Sequence, residues 1–227
     1  TADIKHCSNK FLAKESLMKL YLNDTSPFSR AVLATAYMCD APMVLEWVDP
    51  WQTPNTLVTI NPFSTIPVLE TSDEVALTES LTICEFLMQA YPTEKLTATK
   101  ASDTQRMSLL GVSKTLMEVA FRCAALSRFE AEQNVLTIRG KEGIQRCVKA
   151  LIGQLNNNHN LLHADFSTLY LHIALDYVLF RHASLLSAEE HDILTTALHN
   201  SPFKDTLAKF NLESLSKKLS YCEYKNS

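Results

Sequence analysis

The sequence predicts a two-domain α+β protein. A small α/β domain over residues 17–93 precedes an all-helical domain over residues 102–227, with a linker at 94–101 and an N-terminal extension at 1–16. Three observations predict this division. Short apolar runs alternate with helical patterns up to Pro92, strand signals vanish from Ser102 onward, and between Pro92 and Ala101 the periodicity gives way to Thr, Lys and Ala. A chain of 227 residues also suits two modest domains better than one.

Thr1 to Ser16 carry Lys, Ser and Asn without clear periodicity. Leu17 to Leu22, interrupted only by Lys19, predicts a strand buried on both faces. The stretch Asp24-Thr25-Ser26-Pro27-Phe28-Ser29-Arg30 then hands over to a helix through Met38, with Ser26 as N-cap and Pro27 at the first helical position. Val44 to Val48 reads as a second strand, and Asp49 to Pro54, containing Pro50, as a loop. Pro67 to Glu70 and Val75 to Leu77 predict a hairpin across Thr71-Ser72-Asp73-Glu74. Ser80 is predicted to cap a helix that runs to about Tyr91 and stops at Pro92. The order is βαβ, then ββα.

In the second half, Ser102-x-x-Gln105 reads as a capping box opening a long helix through about Glu130. Leu136 to Leu155 carries a second helical pattern weakened by Gly140, Gly143 and Gly153. Asp165 to His182 is apolar enough to form the centre of its domain. Ser187-x-x-Glu190 is another capping box, and Ser201-Pro202 repeats the Ser-Pro helix start.

Composition limits the function classes. Apolar residues make up 46% and charged residues 20%, as in a soluble globular protein. A net charge of -4 and a pI near 6.0, with no basic cluster interleaved with aromatics, argue against nucleic acid as a partner. No apolar run reaches the ~20 residues of a membrane span. The six cysteines (7, 39, 84, 123, 147 and 222) are scattered and form no CxxC pair, and no signal peptide is seen, so reduced thiols and a cytoplasmic location are expected.

The strongest local candidate for a site is Asp24 to Arg30. A helix N-terminus supplies free N–H groups and partial positive charge, which favour a thiolate or another anion beside it. Ser-Pro also starts many helices that do nothing else.

Asn61-Pro62-Phe63-Ser64-Thr65-Ile66-Pro67-Val68-Leu69, followed by Glu79-Ser80 at a helix start, resembles the glutathione transferase superfamily. The resemblance covers about Leu17 to Leu219 and is nearest to bacterial, serine-type members. It implies a thioredoxin-like N-terminal domain and a helical C-terminal one. It also implies a homodimer and a transferase that uses glutathione as co-substrate against a small apolar electrophile. By the resemblance, Pro67 follows a cis peptide bond and Ile66 offers its backbone to the cysteinyl part of glutathione. Glu79 and Ser80 hold the γ-glutamyl end.

Ser26-Pro27-Phe28-Ser29 stands where glutaredoxin-like relatives carry Cys-Pro-aromatic-Cys. Without those cysteines, dithiol exchange has no nucleophile there. The chemistry left is activation of a bound thiol by a hydroxyl, with Ser26 the first choice, Thr25 the second, and Ser29 and Tyr21 weaker. Arg30 reads as a structural or solvated charge. Two departures stand out. Asp165 and Thr168 exchange the residue types with which the central helix of bacterial relatives opens. Ser64 and Thr65 replace the Gly and Lys of many relatives, and the first hundred residues contain no glycine.

Ser64 and Thr65 favour a competing expectation, a non-catalytic member of the same fold acting as a protein-interaction or regulatory scaffold. A redox enzyme using Cys39 or Cys84 ranks third, because neither lies at a helix start. His159 and His163 could share a helix face, but no third ligand stands near them, so no metal is expected. Trp47 is expected in the core and Trp51 as a loop anchor; Met107, Met117, Phe121 and Tyr177 are expected in the core.

Overall fold

A computed structural model of the protein describes residues 17–129, 134–157 and 163–226. The expected N-terminal extension lies outside the described residues. The described chain divides into two compact units, one formed by the residues up to Pro92 together with those from Lys209 onward, the other by Thr93–Ala208.

In the first unit the elements follow the order β1 (Met18–Leu22), α1 (Pro27–Met38), β2 (Met43–Trp47), α2 (Asn55–Ile60), β3 (Val68–Glu70), β4 (Ala76–Thr78) and α3 (Ser80–Ala90). They form a four-stranded sheet in the order β2-β1-β3-β4. β1 pairs parallel to β2 and antiparallel to β3, and β3 pairs antiparallel to β4, so the expected βαβ then ββα arrangement is what forms. Period-2 alternation divides the sheet faces. Tyr21 and Val68, opposite each other in the ladder, pack with Leu57 of α2, and Val48, Ile60, Ile66 and Ala76 close around them. Leu20 and Leu69, the next pair in the ladder, are fully buried on the other face. The helix α2 was not expected from the sequence: its six residues, too few for a helical period to declare itself, follow two closely spaced prolines.

The C-terminal segment completes this unit. The short helices α9 (Leu212–Ser216) and α10 (Tyr221–Asn226) return the chain to β2 and the end of α1. Trp47 Nε1 donates to the Leu219 carbonyl at 3.2 Å, Phe210 meets Tyr37 edge-on at 5.3 Å, and Lys225 lies 3.7 Å from Asp40. Trp47 is thus half-buried and hydrogen-bonded, not a core residue as expected.

The second unit contains α4 (Thr104–Phe129), α5 (Val135–Asn157), α6 (Phe166–His182) and α7 (Ala188–His199), and α8 (Lys204–Lys209) leads out of it. α6 is buried along almost its whole length, as its apolar sequence predicts. Asp165 caps it by accepting from the Thr168 N–H at 3.0 Å, and the Ser187–Glu190 capping box forms at the start of α7. At α4 the cap is Asp103, which accepts from the Arg106 N–H, and not Ser102, which is one residue too early to reach the first turn. Met107 is 44% exposed and therefore not core, whereas Met117 and Tyr177 are buried.

Cys39, Cys84, Cys123 and Cys147 are free thiols, while Cys222 is disulfide-bonded, which corrects the expectation of reduced thiols at that position. Spacing along the chain carries no signal for such a bond when the cysteines are scattered. Cys7 lies outside the described residues.

Candidate functional site

The strand register gathers three segments at one end of the first unit's sheet. Tyr21 near the C-terminal end of β1 pairs with Val68 at the start of β3, and Val68 pairs with Thr78 at the end of β4. The turn into α1, the residues leading into β3 and the start of α3 therefore converge. This is where Ser26, Ile66-Pro67 and Glu79-Ser80 lie.

At the α1 turn, the Asn23 side chain accepts from the backbone N–H groups of Thr25 (3.1 Å) and Ser26 (2.8 Å) and so sets the path of the turn. Ser26 is the N-cap and its Oγ accepts from the Ser29 N–H at 3.2 Å. An acceptor role leaves the Ser26 hydroxyl proton free to be donated elsewhere. Thr25 is half-buried and its hydroxyl takes no part in the cap. Ser29 Oγ is fully buried in the first turn without a hydrogen-bond partner. Arg30 is also buried, which makes it structural and not a solvated charge.

The Ile66–Pro67 peptide bond is cis. Asn61, 1% exposed, shapes the approach to it: its Nδ2 donates to the Thr65 carbonyl and hydroxyl at 2.9 and 3.0 Å, and its Oδ1 accepts from the Phe63 N–H. Ser64 sits in the same loop at φ 51°, the left-handed region that favours glycine. Ile66 stands just outside the β3 ladder, with its side chain against the Tyr21–Val68 cluster.

At α3 the cap residue is Glu79 and not Ser80. Ser80 is the first helical residue and is buried, whereas Glu79 is exposed, holds φ 66° and makes no side-chain cap bond. The Glu79 side chain thus leaves the first turn of α3 uncapped by its own carboxylate, and a helix N-terminus of this kind favours an anion. A non-glycine residue held at positive φ stores local strain, as residues at ligand sites often do.

Several expected candidates are committed elsewhere. Tyr21 donates its hydroxyl to Glu70 at 3.1 Å and receives a bond from Lys19, so it serves the sheet. Burial pushes the Cys39 thiol up to about 11 and the Cys84 thiol up to about 12, with Thr35 Oγ1 3.4 Å from Cys84 Sγ, so neither is a ready thiolate. Among the described residues no cluster of three or more His, Cys, Asp or Glu could hold a metal; His163 is exposed and His159 lies outside the described residues. The residues to which sequence reasoning gave no role are Asn23 and Asn61, which shape the loops. Their signal was turn chemistry: an Asn two or three residues ahead of N–H groups that need an acceptor.

Residues 25–90 match the family model for the glutathione S-transferase N-terminal domain. No curated protein sequence matches the chain. A glutathione transferase family member from Pseudomonas fluorescens Pf-5, with bound glutathione, superposes with a TM-score of 0.67 at 20% identity, covering 79% of this chain and 91% of that one. A glutathione S-transferase from Methylobacillus flagellatus with glutathione bound gives 0.67 at 18% identity, covering 83% and 98%. A glutathione transferase from Phanerochaete chrysosporium in complex with oxidized glutathione gives 0.70 at 14% identity, covering 94% and 100%. No described helix is long and apolar enough to cross a membrane.

Proposed function

From a chain that carries a glutathione S-transferase N-terminal domain and has the glutathione transferase fold, we infer an enzyme that binds glutathione and activates its thiol for attack on a small apolar electrophile. The observation that carries the reading is the convergence of Ser26, Ile66-Pro67 and Glu79-Ser80 at one end of the sheet. The γ-glutamyl carboxylate would meet the N-terminus of α3 beside Ser80, with Glu79 at the amino group. The Ile66 backbone would pair with the cysteinyl unit as an added strand. The Ser26 hydroxyl, whose proton the cap does not use, would donate to the sulfur, and the α1 N-terminus would add its partial positive charge. Both effects favour thiolate at neutral pH. The thiolate then forms a carbon–sulfur bond while the electrophile gives up its leaving group or takes a proton on the adjacent atom. Thr25 is the second candidate for the hydroxyl. A cytoplasmic homodimer accompanies this reading.

Titration calorimetry with reduced glutathione, followed by a conjugation assay with an aryl halide, tests the proposal. Binding at millimolar glutathione and turnover that falls in a Ser26 or Thr25 variant support it; no binding at that concentration overturns it. A second reading, a non-catalytic scaffold, draws on Phe63, which is 81% exposed at the tip of the Asn61–Thr65 loop. A scaffold would show no activity for either substitution to remove.

A further inference from the structure

Two aromatic rings and a guanidinium meet on the last two turns of α6. Arg181 Cζ lies 4.0 Å from the centre of the Phe180 ring, and the Phe180 and Tyr177 rings meet edge-on at 6.3 Å. Tyr177 is buried, Arg181 half-buried and Phe180 exposed, so the group forms a partly sheltered shelf on the helical unit.

A cation in the last turn of a helix complements the macrodipole, and Arg128 of α4 and Arg181 of α6 both stand there. The dipole does not account for the rest. Arg181 Nε is buried without a hydrogen-bond partner, and among the described residues neither arginine forms an ion pair. On the packed helices, Glu118 and Glu142 already belong to Lys114 and Arg146. The charges that act on the Tyr177 hydroxyl are those of Arg181, which also donates a hydrogen bond to it, and of Arg128. No carboxylate is among them, although Asp176 precedes Tyr177 in the chain. Burial pushes Tyr177 up, so it keeps its proton, and having accepted from Arg181 it can still donate. One turn further on, His182 is held to the Ala120 carbonyl at 2.8 Å and faces the charges of Lys141 and Arg181, again with no carboxylate. In a chain of net charge -4, cations gathered without acidic partners favour an anion from outside.

We propose that Arg181, with Tyr177 and Arg128, holds the carboxylate of an organic acid, so that the electrophile this chain prefers carries an acid group on its apolar body. The inference rests on the reading of the chain as a glutathione transferase and names the class of its second substrate. The planar guanidinium matches the two oxygens of a carboxylate, and the Tyr177 hydroxyl adds a donor. Arg128 adds charge from α4, and the exposed part of the Phe180 ring covers some of the apolar body.

The full chain and its Arg181→Gln and Arg181→Lys variants are compared in glutathione conjugation of 4-chloro-3-nitrobenzoate and of its methyl ester, each rate divided by the uncatalysed one. In both probes the thiolate adds at the carbon bearing chlorine and chloride leaves, so they differ mainly in the charge of the carboxyl group. In kcat/KM the acid is expected to exceed the ester about tenfold or more, and that margin to shrink about tenfold in Arg181→Gln and to return in part in Arg181→Lys. Damage to helix packing would lower both probes together and leave their ratio unchanged. An ester turned over as well as the acid overturns the proposal, as does a margin that survives Arg181→Gln. Calorimetry with benzoate alone separates the two readings. Benzoate binding that is lost in Arg181→Gln, with neither probe conjugated, supports the carboxylate site while overturning the glutathione transferase reading. Conjugation of both probes at one ratio in all three proteins overturns the carboxylate site alone.

Discussion

Arg106 grips both carboxylate oxygens of Asp165, with Nε to Oδ2 at 2.6 Å and Nη2 to Oδ1, and also donates to the Thr168 hydroxyl. Asp165 meanwhile caps α6 through the Thr168 N–H. A buried arginine therefore orients the Asp165 cap and neutralises its charge. Removing one partner strands the other. Arg106→Met should destabilise the protein by about 3–5 kcal/mol, read from urea unfolding. The double exchange Asp165→Thr with Thr168→Asp keeps a carboxylate in reach of Arg106 and should cost less than half as much.

His172 is fully buried in α6, with Nδ1 2.7 Å from Ser201 Oγ and Nε2 unpartnered. Burial, reinforced by the nearby Arg106 charge, pushes it down to about 4. The unfolded chain takes up that proton near the ordinary value of 6.5, so stability is complete above about pH 6.5 and lost as pH falls toward 4. The unfolding free energy should drop by up to about 1.4 kcal/mol per pH unit across that window, read from urea unfolding at several pH values. His182, also shifted down by burial, adds in the same direction. His172→Asn should flatten the slope.

Two glycines of α5 should respond with opposite signs. Gly153→Ala meets open space and should stabilise by about 1 kcal/mol. Gly140→Ala collides with Cys123 and should destabilise by about 1–3 kcal/mol. In the glycine-free first unit the logic reverses: Thr53, a β-branched residue at φ 47°, should gain about 1 kcal/mol on replacement by glycine. Thermal melts of the three variants check all three signs.

Ser26 caps α1, and one substitution can separate that role from the thiol-activating role proposed for it. Glycine at an N-cap costs only a few tenths of a kcal/mol, about a quarter of what alanine costs. Ser26→Gly should therefore keep the melting temperature while lowering kcat/KM for conjugation on the order of a hundredfold, the effect of losing one placed donor. Thr25→Ala should leave both nearly unchanged. Full activity in Ser26→Gly and a loss in Thr25→Ala would reverse the assignment.

The fold was legible where local chemistry is strong. Ser26-Pro27, Asp165 and Ser187-x-x-Glu190 announced three helix starts, and alternating apolar runs announced the strands to within a residue. Short elements fixed by tertiary contact were not legible: α2 and α10 are six residues each, too short to show a period. Glu79 was hidden for another reason. A serine after a glutamate reads as the cap, and only the backbone torsion reveals that the cap lies one residue earlier. Of the candidate site, the motif residues could be read directly. The roles of Asn23 and Asn61 could not, because they lie in loop hydrogen bonds that only the folded backbone reveals.

The return of the chain to β2 bears on synthesis. The first unit is discontinuous, since Trp47, Tyr37 and Asp40 find partners in Leu219, Phe210 and Lys225. A ribosome that has released residues up to Pro92 has not yet delivered them. The helical unit must emerge, and can pack, before the sheet acquires its last layer. A fragment ending at Pro92 would expose the half-buried indole of Trp47 and the ring of Tyr37, inviting association through surfaces that the finished protein keeps covered.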